Sequence, residues 1–102
     1  MQSEISVSQQ GSQLKITIAG RFDFSILQQF RDAYTHDIKQ LVAEVQIEMA
    51  KAEHLDSSGM GLLLSMKKDL GLGVGAIHLV NCRPHVKDAL LAAKMDNLFK
   101  VN

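Results

Sequence analysis

Two stretches near the start of the chain place apolar residues at every second position. Ile5 and Val7 alternate with Glu4, Ser6 and Ser8, and Leu14, Ile16 and Ile18 repeat the pattern. A period of two predicts half-buried strands. Gln10-Gly11-Ser12 lies between them and supplies a turn, so the two strands are expected to form a hairpin. Gly20 breaks the second strand. Asp23 and Ser25 both suit the N-cap of a following helix, whose buried face is Ile26, Leu27, Phe30, Ala33 and Tyr34. That helix is predicted to end at about His36, or to run on toward Gln40. Val45, Ile47 and Met49 alternate with Glu44, Gln46 and Glu48, which predicts a third strand followed by a loop over 51–55.

The second half of the chain reads as helix, strand, helix. Met60, Leu63, Leu64, Lys67 and Leu70 recur at helical spacing, so a second helix is expected from near Ser57 until Gly71-Leu72-Gly73 stops it. Residues 76–80 carry Ile, Leu and Val and form a fourth strand. Pro84 suits the first position of a last helix that contains Val86, Ala89, Leu90 and Ala93. The predicted order is β-β-α-β-α-β-α. Strand–helix–strand units favour parallel pairing through right-handed crossovers. The expected fold class is therefore α/β, with a mixed, mostly parallel four-stranded sheet, an N-terminal hairpin, and helices on at least one face. The chain has no repeats, no linker and no low-complexity segment.

Composition narrows the function. The 102 residues suffice for one domain, and a hydrophobic fraction of 46% supports a core. Eleven basic and eleven acidic residues balance. Such a chain lacks the basic footprint of a nucleic-acid or anionic-lipid binder. The first ten residues hold no apolar signal core, and no apolar run is long enough to span a bilayer. The single cysteine, Cys82, forms no internal disulfide. A cytoplasmic protein without membrane insertion, monomeric when free, is expected.

Several chemistries are weighed and set aside. Gly71-Leu72-Gly73-Val74-Gly75 lies between a helix and a strand, whereas a dinucleotide loop follows a strand and opens a helix; no Gly-Lys-Ser/Thr is present either. His36, His54, His78 and His85 include no i, i+4 pair, and Cys82 with His85 is half a metal site at most. Neither Ser57 nor Ser58 sits in Gly-x-Ser-x-Gly, and nothing marks His54 as a base. Glu53 with Asp56 reads as a solvated loop. No catalytic residue, metal or cofactor is expected, and the chain is not expected to be an enzyme.

The stretch Glu53-His54-Leu55-Asp56-Ser57-Ser58-Gly59-Met60-Gly61 is the most informative. Asp56, Ser57 and Ser58 are each competent to cap the second helix, a contribution of about 1 kcal/mol. Capping leaves Gly59 and Gly61 unexplained, because each costs a helix roughly 1 kcal/mol relative to Ala. The glycines imply a close approach to the backbone. A phosphate suits the same place, since the first N–H groups of a helix lack partners and its dipole favours negative charge.

These residues resemble the STAS domains of bacterial anti-sigma factor antagonists. The resemblance rests on Gly20-Arg21-Phe22-Asp23, on Leu55-Asp56-Ser57-Ser58-Gly59-Met60-Gly61-Leu62-Leu63, on Asn81 with Pro84, and on Leu98-Phe99-Lys100-Val101. It spans the whole chain, and the element order agrees. The family implies partner switching. The unphosphorylated antagonist binds an anti-sigma factor, often a serine kinase of the histidine-kinase-like ATPase fold. Phosphorylation of the serine after the motif's aspartate releases it, and a PP2C-like phosphatase resets the system. Carried over, the phosphosite is Ser57, and the partner-binding residues are Asp23, Phe24, Asp56, Ser58, Gly59, Met60 and Gly61. The segment 20–34 is similar to antagonists of proteobacterial partner-switching systems for biofilm, motility or secretion control. Met60 stands where the family more often has Leu, and Asp96-Asn97 replaces a Ser-Gly-like pair. Phe22 and Phe24 are left open between core and partner surface. The alternative the family also implies is a constitutive subunit of a transport complex, such as a lipid-transport ATPase, with no phospho-switch.

Overall fold

The computed structural model describes residues 3–36 and 41–102. Strands β1 (Glu4–Gln10) and β2 (Gln13–Phe22) form the expected hairpin, with Ile5 opposite Ile18 and Val7 opposite Ile16. Helix α1 (Leu27–Thr35) follows a single 3-10 turn, Phe24–Ile26. Then come β3 (Glu44–Leu55), α2 (Ser57–Leu70), β4 (Ile77–Val80), α3 (Pro84–Ala92), a second 3-10 turn (Met95–Asn97) and β5 (Lys100–Val101). The α1 helix ends at Thr35, and the suggested extension over 37–40 lies outside the described residues.

The sheet has five strands, not four, in the order β1-β2-β3-β4-β5. Only the β1–β2 pairing is antiparallel. The strand order advances in one direction without reversing, so right-handed crossovers put every helix on the same face. The burial pattern agrees. Leu14, Ile16, Ile18 and Phe22 of β2 and Val45, Ile47 and Met49 of β3 are buried. The alternate positions Lys15, Gln46 and Glu48 remain at least partly open to solvent. The absence of a reversal also removes the switch-point crevice in which doubly wound sheets bind nucleotides.

Four sequence expectations are corrected. Residues 51–55 are not a loop but the second half of β3, which pairs with 19–22 of β2. Two register shifts, between Thr17 and Ala19 and between Gly20 and Arg21, put extra residues into β3. They interrupt the alternation, so that Met49, Ala52 and Leu55 are the buried positions. Gly20 accordingly sits at an irregularity in β2 and does not end it. The buried stripe of α2 is Gly59, Leu62, Leu63 and Met66, one residue out of phase with the Met60–Leu64 reading, and Leu64 is 41% exposed. Finally, β5 is only two residues long and too short to carry any periodicity.

The core near the start of α1 is aromatic. Phe22, Phe30 and Tyr34 stack in series, with centroids 5.3 and 5.7 Å apart. The Tyr34 hydroxyl donates to Asp69 of α2 at 2.6 Å and clamps the two helices together. Burial, reinforced by this carboxylate, pushes the Tyr34 phenol up to about 12. At the far end of α2, Gly71 adopts φ 64° and receives the left-handed cap.

Candidate functional site

Strand β3 ends at Leu55 and α2 begins at Ser57, so Asp56 is the hinge between them. Its backbone is extended and its side chain accepts from the Gly59 N–H, the geometry of an N-cap. Of the three capping candidates, Asp56 therefore fills the role. The same oxygen, Oδ1, accepts the Ser58 hydroxyl proton at 2.6 Å, alongside the Gly59 N–H at 3.0 Å. The Ser58 hydroxyl and the Gly59 amide hold the Asp56 carboxyl below its usual range, with the hydroxyl contributing most.

Ser57 is different. It occupies the first helical position and is exposed, and its hydroxyl has no hydrogen-bond partner among the described residues. A serine nucleophile needs a base on its oxygen. Here the neighbouring His54 turns to Asp56 instead, with Nε2 3.6 Å from Oδ2.

The loop after β2 lies against this helix tip. A Cβ placed on Gly59 would sit 2.1 Å from the Phe22 carbonyl oxygen and 2.7 Å from Leu55 Cδ1. The close approach implied by the glycine is thus an approach of the chain to itself. Gly61 has open space around its Cα and answers to no such contact. Phe22 is fully buried, whereas Phe24, two residues on, is 66% exposed. The pair left open between core and surface divides into one of each. The Phe24 N–H donates to Ser58 Oγ at 2.8 Å, tying the loop to α2.

Asp23 organises the loop itself. It accepts from both the Ser25 amide and the Ser25 hydroxyl and pairs with Arg21 Nε at 2.9 Å. The Ser25 hydroxyl, then the Arg21 guanidinium, lower the Asp23 carboxyl to about 2. Asp23, Phe24, Asp56, Ser58 and Gly59 therefore form one connected patch beside Ser57. Met60 is half-buried and packs on the core, and Gly61 makes no bond to the loop. Arg21, which the sequence reading quoted within the motif but did not count among the site residues, braces this patch through Asp23. Its signal was its spacing two residues before Asp23.

Asp23, His54 and Asp56 offer ligand atoms within 4.8 Å of one another. Both carboxylates already accept protein donors, Arg21 and Ser25 on Asp23 and Ser58 and Gly59 on Asp56. His85 Nε2 lies 2.7 Å from the Glu53 carbonyl oxygen, and burial pushes the Cys82 thiol up.

Residues 4–102 match the STAS domain family, and the chain belongs to it. A STAS-domain containing protein of Pseudomonas aeruginosa (strain UCBPP-PA14) is 37% identical over 95 residues, which is 93% of each chain. The fold is also that of the anti-sigma factor antagonist SpoIIAA, solved in its unphosphorylated form. The TM-score is 0.76 at 17% identity, covering 97% of this chain and 88% of SpoIIAA.

Proposed function

We propose that this chain is an anti-sigma factor antagonist whose binding is switched by phosphorylation of Ser57. Unphosphorylated, it sequesters an anti-sigma factor that is itself a serine kinase. Phosphorylated, it lets that partner go, and a PP2C-like phosphatase restores binding. The work is done in the cytoplasm, where ATP and sigma factors are found. No described helix is long and apolar enough to cross a membrane.

The observation that carries this reading is the division of labour between adjacent serines. Ser58 is committed to two hydrogen bonds, and Ser57 presents an exposed hydroxyl, unbonded among the described residues, at the positive end of a 14-residue helix. A phosphoserine brings about −1.5 to −2 charges at pH 7. The helix end tolerates them, because the dipole favours negative charge there. A partner seated over Phe24 and the helix tip meets a dianion where a small neutral group had been. The switch therefore needs no large rearrangement.

The test is a pull-down from lysate with wild type, Ser57→Ala and Ser57→Asp, with retained proteins identified by mass spectrometry. Wild type and Ser57→Ala retain a kinase-fold anti-sigma factor. Ser57→Asp loses it, and incubation of wild type with that kinase and ATP adds one phosphate at Ser57. Equal retention by all three variants of one ATPase subunit of a transporter would overturn the switch in favour of a constitutive subunit.

A further inference from the structure

Resting on the reading that Ser57 carries the phosphate, we infer that Ser58 is the positioning residue of the switch. Its hydroxyl holds the exposed Phe24 against the tip of α2, so that charge placed on Ser57 is felt at Phe24.

The direction of each bond is fixed by chemistry. The Phe24 N–H can only donate, so Ser58 Oγ accepts from it at 2.8 Å; the single Ser58 proton is then free to go to Asp56 Oδ1 at 2.6 Å. Asp56, Ser58 and Phe24 thus form a relay of two hydrogen bonds that joins residues 34 apart in sequence. Its two ends differ in firmness. Asp56 is anchored by the Gly59 amide at 3.0 Å, while Phe24 is 66% exposed. Phe22, on the other side of Asp23, is fully buried and pins the loop from behind. The Phe24 carbonyl is held within the 3-10 turn by the Leu27 N–H, so the Phe24 amide is the group that rests on Ser58, whose hydroxyl is the side chain holding it.

Ser57 lies in sequence between Asp56, the N-cap of α2, and Ser58. A dianion there repels the adjacent Asp56 carboxylate and brings three acceptor oxygens that compete for the same N–H groups. Displacing Asp56 removes the acceptor of the Ser58 proton. The hydroxyl then turns, and the Phe24 N–H loses its partner. Asp56 titrates below its usual range mainly because of the Ser58 hydroxyl, which agrees with the tightness of this link.

The experiment follows amide hydrogen exchange at Phe24 by NMR, with no partner or kinase present. It uses wild type, Ser58→Ala, Ser58→Thr, and phosphoserine incorporated in place of Ser57 in the wild-type and Ser58→Ala backgrounds. Ser58→Ala speeds Phe24 exchange about tenfold, the scale of one lost hydrogen bond, and Ser58→Thr restores the wild-type rate. Phosphoserine at 57 speeds Phe24 exchange when Ser58 is present and adds nothing in Ser58→Ala. Amides of the β3 core, such as Ile47, stay unchanged throughout and report an intact fold. An unchanged Phe24 rate in Ser58→Ala, or the same phosphoserine effect in both backgrounds (none included), overturns the relay. Failure of the pull-down would remove the kinase and leave this exchange result standing.

Discussion

Helices α2 and α3 start in equivalent places, each just after a parallel strand of the same sheet, yet their first turns are built differently. At the start of α3, the nearby polar side chains turn back onto β3. Arg83 Nε donates to the Ala50 carbonyl at 3.0 Å, Asn81 donates to the Glu48 carboxylate at 2.9 Å, and His85 reaches the Glu53 carbonyl at 2.7 Å. Its first residue is Pro84, which has no N–H to offer, and Arg83 provides no side-chain cap. At the start of α2 the cap is a carboxylate, the first residue is a serine, and that serine's hydroxyl is unengaged among the described residues. One helix start is fastened to the scaffold. The other keeps a hydroxyl in solvent, next to an aspartate and a serine that are bonded to each other. The proposed switch uses the second, because a hydroxyl that is already bonded cannot be modified without breaking something.

The comparison can be broken at several points. The largest effect is expected from Gly59→Ala. Its new methyl meets the Phe22 carbonyl, a backbone atom that cannot swing aside, and destabilisation of about 3 kcal/mol is expected in urea unfolding. Gly61→Ala, two residues on in open space, should instead stabilise by up to about 1 kcal/mol in the same measurement. Next, Ser57→Asp should weaken partner binding at least about tenfold, or about 1.4 kcal/mol, measured by calorimetry with the partner retained in the pull-down. Arg83→Ala at the other helix start should leave that affinity within about twofold and lower stability by about 1 kcal/mol. Asp56→Ala removes the cap and should destabilise by about 1–2 kcal/mol. If Arg83→Ala proves as damaging to binding as Ser57→Asp, the contrast between the two helix starts fails.

The smallest effect is on titration. Asp23 has a folded pKa of about 2 against an ordinary 3.8, so its bonds stabilise the fold fully above about pH 4. That contribution fades as pH falls from about 4 to about 2. Asp56, also lowered, behaves in the same sense. Ser25→Ala should raise the Asp23 midpoint seen by NMR more than Arg21→Ala does, because the hydroxyl is the larger influence.

The sequence was legible where side-chain period and backbone agree. Ile5, Val7, Leu14, Ile16 and Ile18 announced the hairpin, and the order from α1 to α3 followed from similar patterns. It was illegible where an irregularity intervened. Extra residues in β3 disguised 51–55 as a loop, and β5 has too few residues to show a pattern. In α2, Gly59 occupies a core position without an apolar side chain, so the helical phase was read from Met60 instead. Around the site, the motif placed Ser57 and Ser58 together, but nothing in the letters distinguished a bonded hydroxyl from a free one. Nor could spacing show that Phe22 faces inward and Phe24 outward, since strand alternation gives way there to a 3-10 turn.

The strand order also bears on how the molecule is made. Every strand lies beside the one synthesised just before it, from β1 through to β5. A nascent chain leaving the ribosome can therefore add each new unit to a finished edge, and no strand has to wait for a distant partner to emerge.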